Sequence, residues 1–282
     1  MTKSYNNTID KMFEGRISDL VRSSEYTVKT SVFLTPAEQK AAYDAARSQG
    51  AGGRCFFWGG VPECERRIAV FLPDWMVPEI DGIGGVFDGG REDVLRDILE
   101  SGADSGEVMR SIVPVRIEGS AYSELSHRDY LGAVTSLGLE RDAVGDIAVI
   151  GQSSAIVFAL PGAAKLLVSE LSSVGREAVK VSEAVLPNGF RIEREFENIT
   201  DTVMSLRLDG IVRALCNISR DAASELVERG DVTVNYAAVA KPDALVEKGD
   251  IISVRGHGKF VFDGDRGVNR RGRLRIDAKK YI

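Results

Sequence analysis

The sequence predicts an α+β protein built as three units, and three observations carry that reading. Apolar residues near the start recur with a period close to 3.6, the region from Ile112 alternates strands and helices as βαββαβ, and two short helices followed by strands occupy the stretch after Ser205. In chain order, Ile9, Met12, Phe13, Ile17, Leu20 and Val21 make residues 9–53 read as helical, with a second helix opening at Thr35-Pro36. Gly50 to Gly53 end that segment, and an apolar run at 54–58, a Gly59-Gly60 turn and a strand at 67–72 complete a small α+β unit. Residues 81–90 are glycine-rich, but Phe87 stands where the last glycine of a GxGxxG starting at Gly82 belongs, and no GK[ST] follows, so the stretch reads as a connection rather than a phosphate loop.

The middle unit reads as strand 112–117, helix 126–137, strands 146–150 and 155–160, helix 162–174 and strand 178–181, the order of an RRM-like split βαβ sandwich. Its central strand, Ala155 to Ala159, has one aromatic and no RNP-like basic pattern, so base stacking on that strand is not expected. The following helix-turn-helix places Leu208, Ile211, Val212 and Leu215 on one face, opens its second helix at Ser219 and stops at Gly230. Strands at Val232 to Val234 and Ile251 to Val254 back it. The expected layout is an N-terminal α+β domain at 1–90, the RRM-like domain at 91–186, the helix-turn-helix domain with its lead-in at 187–264 and a basic tail at 265–282.

Composition excludes several classes. The chain is 282 residues long, 44% hydrophobic and 28% charged, with no apolar run approaching the roughly 18 residues of a membrane span. Its polar first residues do not resemble a signal peptide, so a cytoplasmic protein is expected. Cys55, Cys64 and Cys216 lack CxxC spacing, which supports neither a disulfide framework nor a zinc site. The net charge of −6 argues against a nucleic-acid partner only while it is averaged. From Ser205 onward there are 15 Lys and Arg against 11 Asp and Glu, leaving 21 against 31 upstream. Seven of those basic residues lie in the last 17 positions, an accumulation that on charge alone reads equally as a signal of a polyanionic partner or as a solvated, disordered terminus.

The polar helix start Ser126-His127-Arg128-Asp129 could serve as a phosphate contact, as an acid/base pair or as an ordinary exposed helix end. No nucleophile motif of the GxSxG type accompanies it.

Residues 207–260 resemble the S-four (alpha-L) RNA-binding domain. The likeness rests on the Arg207-Leu208-Asp209 opening, the Ser219-Arg220 pair, Gly230-x-Val232-x-Val234-Asn235 and Gly249-Asp250-x-Ile252-x-Val254. The chain has Asn235-Tyr236 where that family commonly has Asn-Gly. The resemblance implies RNA-facing roles for Arg207, Ser219, Arg220 and Lys241, with Arg255, Lys259, Arg266, Arg270, Arg271, Arg273 and Arg275 extending one positive face. His127, Arg128 and Arg141 are candidates for a second RNA or partner contact. Enzymes that carry such a domain would need an RLDxxTSG-like aspartate, a glycine-rich cofactor loop or HIGH and KMSKS signatures, and these are absent.

Upstream, Gly59-Gly60 with Glu65-Arg66-Arg67, His127-Arg128-Asp129-Tyr130-Leu131-Gly132, Leu137-Gly138, Arg141 and Gly145-Asp146-Ile147 resemble the YlmH family, as does the basic Arg271-Gly272-Arg273-Leu274-Arg275. That resemblance implies a non-catalytic, cytoplasmic RNA-binding factor, acting on large ribosomal subunits blocked by peptidyl-tRNA in ribosome-associated quality control. Its partners would be rRNA and tRNA, with no cofactor, metal, membrane or small-molecule substrate. An rRNA-modifying enzyme around His127 and Asp129, or a cell-division interaction factor, are the alternatives. On this reading, Arg220→Glu and deletion after Gly264 each weaken RNA binding without disturbing the fold, as circular dichroism and a binding assay would show.

Overall fold

The computed structural model describes residues 2–77, 95, 105–120, 124–187, 189–193 and 196–282. The chain divides into two compact units, Met1–Glu193 and Arg194–Ile282. The glycine-rich connection at 81–90 and the expected boundary at 90/91 lie outside the described residues.

The first unit opens with α1 (Thr2–Ser23), β1 (Lys29–Leu34) and α2 (Pro36–Ser48). Continuous helix across 9–53 is therefore interrupted: Lys-Thr-Ser-Val-Phe-Leu is β-branched and apolar enough to pair as a strand. Its Phe33 and Leu34 are buried. The expected second helix start holds, because Glu38 Oε2 accepts from the Thr35 N–H at 2.7 Å in a capping box. β2 (Cys55–Trp58) and β3 (Arg67–Phe71) join β1 in a three-stranded antiparallel sheet of order β1-β3-β2.

After α3 (Ser105–Arg110) comes the βαββαβ region: β4 (Val113–Glu118), α4 (His127–Ser136), β5 (Val144–Gly151), β6 (Ser154–Ala159) and α5 (Pro161–Glu170). The expected final strand is two short pieces. β7 (Ser173–Val174) pairs with β8 (Glu177–Ala178), and β9 (Lys180–Glu183) joins β4. The resulting four-stranded antiparallel sheet has the order β5-β6-β4-β9, as the split βαβ sandwich requires.

Strand β6 alternates between two cores. Ala155, Val157 and Ala159 face α4 and α5 with Tyr130, Val134 and Leu167, while Ile156 and Phe158 join Phe33, Phe56, Trp58, Ile68 and Val70 of the N-terminal elements. The central strand of the RRM-like sheet is thus buried on both faces.

The motif residues explain how these layers meet. A Cβ on Gly60 would lie 2.4 Å from the Phe158 ring, and one on Gly145 would lie 2.5 Å from the Phe33 ring, so both backbones approach aromatic side chains as only glycine allows. Asp146 accepts from the backbone N–H groups of Glu65 at 2.8 Å and Arg66 at 3.0 Å. Arg66 in turn donates to the carbonyls of Phe33, Arg141 and Val144, each at 3.2 Å. These contacts clasp the N-terminal sheet to the middle domain.

The second unit begins with β10 (Phe196–Val203), α6 (Leu208–Cys216) and α7 (Arg220–Glu228). It continues through β11 (Val232–Val234), β12 (Ala237–Ala238), β13 (Ile251–Val254), β14 (Gly258–Val268) and β15 (Leu274–Tyr281). Six antiparallel strands form a sheet of order β10-β15-β14-β13-β11-β12. Leu208, Ile211, Val212 and Leu215 pack on Ile252, Val254, Phe260, Phe262, Ile276 and Ala278. Each of the larger of these buried side chains contributes about 1.5–3 kcal/mol. Residues 265–282 are consequently no appended tail: β15 pairs with both β10 and β14 and supplies Ile276 and Ala278 to the core. Deletion after Gly264 therefore removes an interior strand, and the expectation that it spares the fold is withdrawn.

Gly145→Ala is expected to destabilise the first unit by about 1–3 kcal/mol through overpacking against Phe33. Gly132→Ala, in helix α4 with nothing within 4 Å of the added carbon, should stabilise it by about 0.5–1 kcal/mol. Urea unfolding followed by tryptophan fluorescence reports this unit alone, since Trp58 and Trp75 are the only tryptophans.

Candidate nucleic-acid interface

The helix pair is joined by a three-residue turn with clear local causes. Asn217 takes the left-handed conformation at φ 51° to close α6, and Ser219 Oγ accepts from the Ala222 N–H at 3.2 Å to open α7. Ser219, expected to face RNA, is accordingly engaged as a helix cap. Gly230, at φ 77°, ends α7 as its sequence position suggests.

Asp209 is the centre of the site. Its side chain is 4% exposed and accepts from Arg207 at 3.2 Å, Arg220 at 3.0 Å and the Gly210 N–H at 2.7 Å. Burial pushes its carboxyl up, but the hydrogen bonds from Arg207, Arg220 and Gly210 outweigh that and hold it below the usual carboxylate range. The Leu208 and Asp209 N–H groups donate to the carbonyls of Ala244 and Pro242, which fixes the loop bearing the exposed Lys241 against the start of α6. Arg207 and Arg220 are thus anchored at the carboxylate while 39% and 58% of their side-chain surfaces stay in solvent.

A small cleft of about 70 Å³ lies beside this centre, lined by Gly210, Arg213, Arg220 and Arg273 among others. Arg213 reaches it from α6, where it also pairs with Asp201 at 2.7 Å, and Arg273 comes from the β14–β15 hairpin. Asn269 Oδ1 shapes that hairpin tip by accepting from the Arg271 and Arg273 N–H groups. Arg270 and Arg271 are exposed at the same tip. Arginines from the last turn of α6, the first turn of α7 and the β14–β15 hairpin therefore line one cleft, a placement suited to an anion. Arg213 lay outside the expected set; its position across the helix from the apolar stripe was the one signal in the sequence.

The expected single basic face is in fact divided. Phe260, Phe262, Ile276 and Ala278 point into the core, so strand alternation turns Lys259 and Arg275 to the opposite face of the sheet, away from the helices. Arg266 is drawn to that face by its ion pair with Asp277, two residues along β15 from Arg275. Arg255 is 85% exposed and 3.6 Å from Asp231.

Lys259 Nζ stands 4.8 Å from the ring centres of both Tyr236 and Tyr281 and donates to the Tyr236 hydroxyl at 3.1 Å. Phe196 extends the row, its ring centre 4.9 Å from that of Tyr281. Asn235 and Tyr236 both take positive φ, 49° and 66°, so the turn retains the geometry that an Asn-Gly pair adopts freely. For tyrosine this costs about 1–2 kcal/mol. Asn235 stabilises the turn by donating to Asp250 at 2.7 Å and accepting from the Ile251 N–H at 3.0 Å.

At the helix start in the first unit, Asp129 accepts from the Ser126 N–H and hydroxyl at 2.8 and 2.6 Å. Tyr130 is wholly buried. The carboxylate is therefore used as a cap and is not presented to His127 as an acid/base partner. Desolvation, then the charge of Arg141, lowers the His127 imidazole below its usual range. Arg141 itself donates to the carbonyls of Val144 and Gly145. It serves the clasp between layers, which leaves Arg128 as the exposed cation of that trio. Cys55 and Cys64 are buried, and burial pushes the Cys216 thiol up to about 11. Among the described residues no helix is long and apolar enough to cross a membrane.

Fold and site together define a two-unit α+β protein whose C-terminal helix pair gathers arginines around one buried carboxylate, the chemistry of a polyanion-binding surface. Residues 112–188 match the family model described as "Putative RNA-binding domain in YlmH". The chain is also 27% identical over 256 residues to the Ribosome-associated protein quality control protein P2 of Bacillus subtilis (strain 168), covering 91% of this chain and 88% of the relative. Among solved structures it matches the cell division protein ylmH from Streptococcus pneumoniae at 20% identity and a TM-score of 0.42, over 62% of this chain and 91% of that one. The family-model match and the curated relative bear out the resemblance to the YlmH family read from the motifs.

Asp209→Asn is expected to cost the C-terminal unit about 1–3 kcal/mol, since charge-assisted bonds are lost at a buried acceptor whose arginine partners can partly rehydrate. The carboxylate's contribution is present above the unfolded aspartate pKa of about 3.9 and fades as pH falls below it through the lower folded value. Hydrogen exchange of the α6 amides, measured against pH, checks both statements.

Proposed function

We propose that the protein is a non-catalytic RNA-binding factor that works in the cytoplasm on the large ribosomal subunit, contacting rRNA and peptidyl-tRNA in ribosome-associated quality control. The convergence of Arg213, Arg220 and Arg273 on one cleft, beside Arg207 and Lys241, carries this reading. Such a surface engages phosphates by position, and structured RNA offers it phosphates and 2′-hydroxyls at defined spacing. The likeness of the C-terminal unit to the S-four domain supports the assignment, as do the matched RNA-binding-domain model and the relative named for ribosome-associated quality control.

Within the first unit, RNA reading on the central strand is unsuited to the structure, because Phe158 is wholly buried against the N-terminal layer. Contacts made by the middle domain would use its helix starts and edges, where Arg128 is one of several exposed cations. A catalytic reading around His127 has no support from the geometry, since the Asp129 carboxylate is tied to Ser126.

The charge-reversal test needs revision: Arg220→Glu would set a second carboxylate beside the buried Asp209 and disturb the fold. Arg220→Gln and Arg273→Ala are the informative variants. Each should weaken binding to a structured rRNA fragment and reduce the salt slope by about one. For six neutralised phosphates the unsubstituted chain should show a log K against log salt slope of about −4 to −5. Co-sedimentation with large ribosomal subunits at low salt is the decisive measurement; a protein remaining wholly in the free fraction would overturn the assignment.

A further inference from the structure

We propose that the sheet face of the C-terminal unit turned away from its helices is a second RNA surface, which stacks the unpaired bases of a single-stranded segment. The inference rests on the RNA-binding reading above but uses different residues and a different chemistry.

Strand register sets the surface. Phe196 lies opposite Tyr281 across β10 and β15, and Lys259 lies opposite Ser253 across β14 and β13, with Tyr236 contributed by the β11–β12 turn. The result is a row across the sheet in the order Phe196, Tyr281, Lys259, Tyr236, bound by an aromatic pair at 4.9 Å and two cation–π contacts at 4.8 Å. Phe196 is 38% exposed, and the two tyrosines and Lys259 are each partly open to solvent. The row is therefore neither core nor a scatter of isolated surface residues.

Two features point to RNA as its occupant. Aromatic faces accept any base by stacking, while the ammonium between them and Arg275 further along the same face supply charge for the linking phosphates. The second feature is the cost paid for one ring. Tyr236 occupies a left-handed turn position that glycine would fill without strain, and what tyrosine adds there is its aromatic face. Strained positions of this kind cluster at binding and catalytic sites.

The test compares two labelled RNAs by fluorescence anisotropy with the full chain: a blunt hairpin, and the same hairpin carrying a 3′ overhang of six adenosines. The overhang should tighten binding by roughly 5- to 100-fold. Tyr236→Gly and Tyr281→Ala should each remove most of that gain while leaving blunt-hairpin affinity unchanged, and Tyr236→Phe should keep it. Glycine relieves the turn while losing the contacts to Lys259, so Tyr236→Gly should keep a Tm close to that of the unsubstituted chain, which separates lost stacking from lost structure. Arg220→Gln should weaken both RNAs alike and preserve the gain. No tightening by the overhang, or a gain that survives Tyr236→Gly and Tyr281→Ala, overturns the proposal. Overhang-dependent binding without hairpin binding would instead refute the helical-face reading and uphold this one.

Discussion

A carboxylate withdrawn from water and answered by two guanidinium groups organises the C-terminal unit. Asp209 holds Arg207 and Arg220 at once, and the backbone beside it receives the loop that carries Lys241. An isolated buried carboxylate would be costly, so the arginines are required by the fold as well as available to a partner. Their remaining exposure gives the surface its positive character. Preorganised in this way, the side chains surrender less conformational freedom on meeting a phosphate than free surface arginines would.

The first unit shows the opposite use of a familiar topology. Its βαββαβ sheet has the strand order of RRM modules, yet the face of the central strand that would meet bases is filled by the N-terminal layer. Glycines at 60 and 145 let the backbones approach Phe158 and Phe33, and Asp146 with Arg66 closes the seam by hydrogen bonds. The family-like motifs of this half are thereby explained as joints between layers. Arg141, attractive as a cation in the sequence, belongs to the same joint.

Local patterns were legible where one element decides the outcome. The α+β class, the βαββαβ order, the caps at Thr35 and Ser219 and the stop at Gly230 all follow from short-range chemistry. Strand β1 was hidden because its few residues sit between helical patterns and become a strand only by pairing with β3. The carboxyl-terminal segment misled in the same way. Its arginines and lysines advertise a tail, while its interior pairing and the burial of Ile276 and Ala278 are decided by distant strands.

Sequence alone thus determined what kinds of groups the protein carries: a helix pair rich in arginine, a basic terminus, no span-like apolar run and motif spacing that resembles the YlmH family. Tertiary structure decided where those groups point. It divided one anticipated basic face between the helices and the far side of the sheet, brought Arg273 to Arg213 and Arg220, and set Lys259 between two tyrosines. The reason is geometric: strand alternation and long-range register fix the direction of a side chain, and both depend on partners that lie far away in the chain.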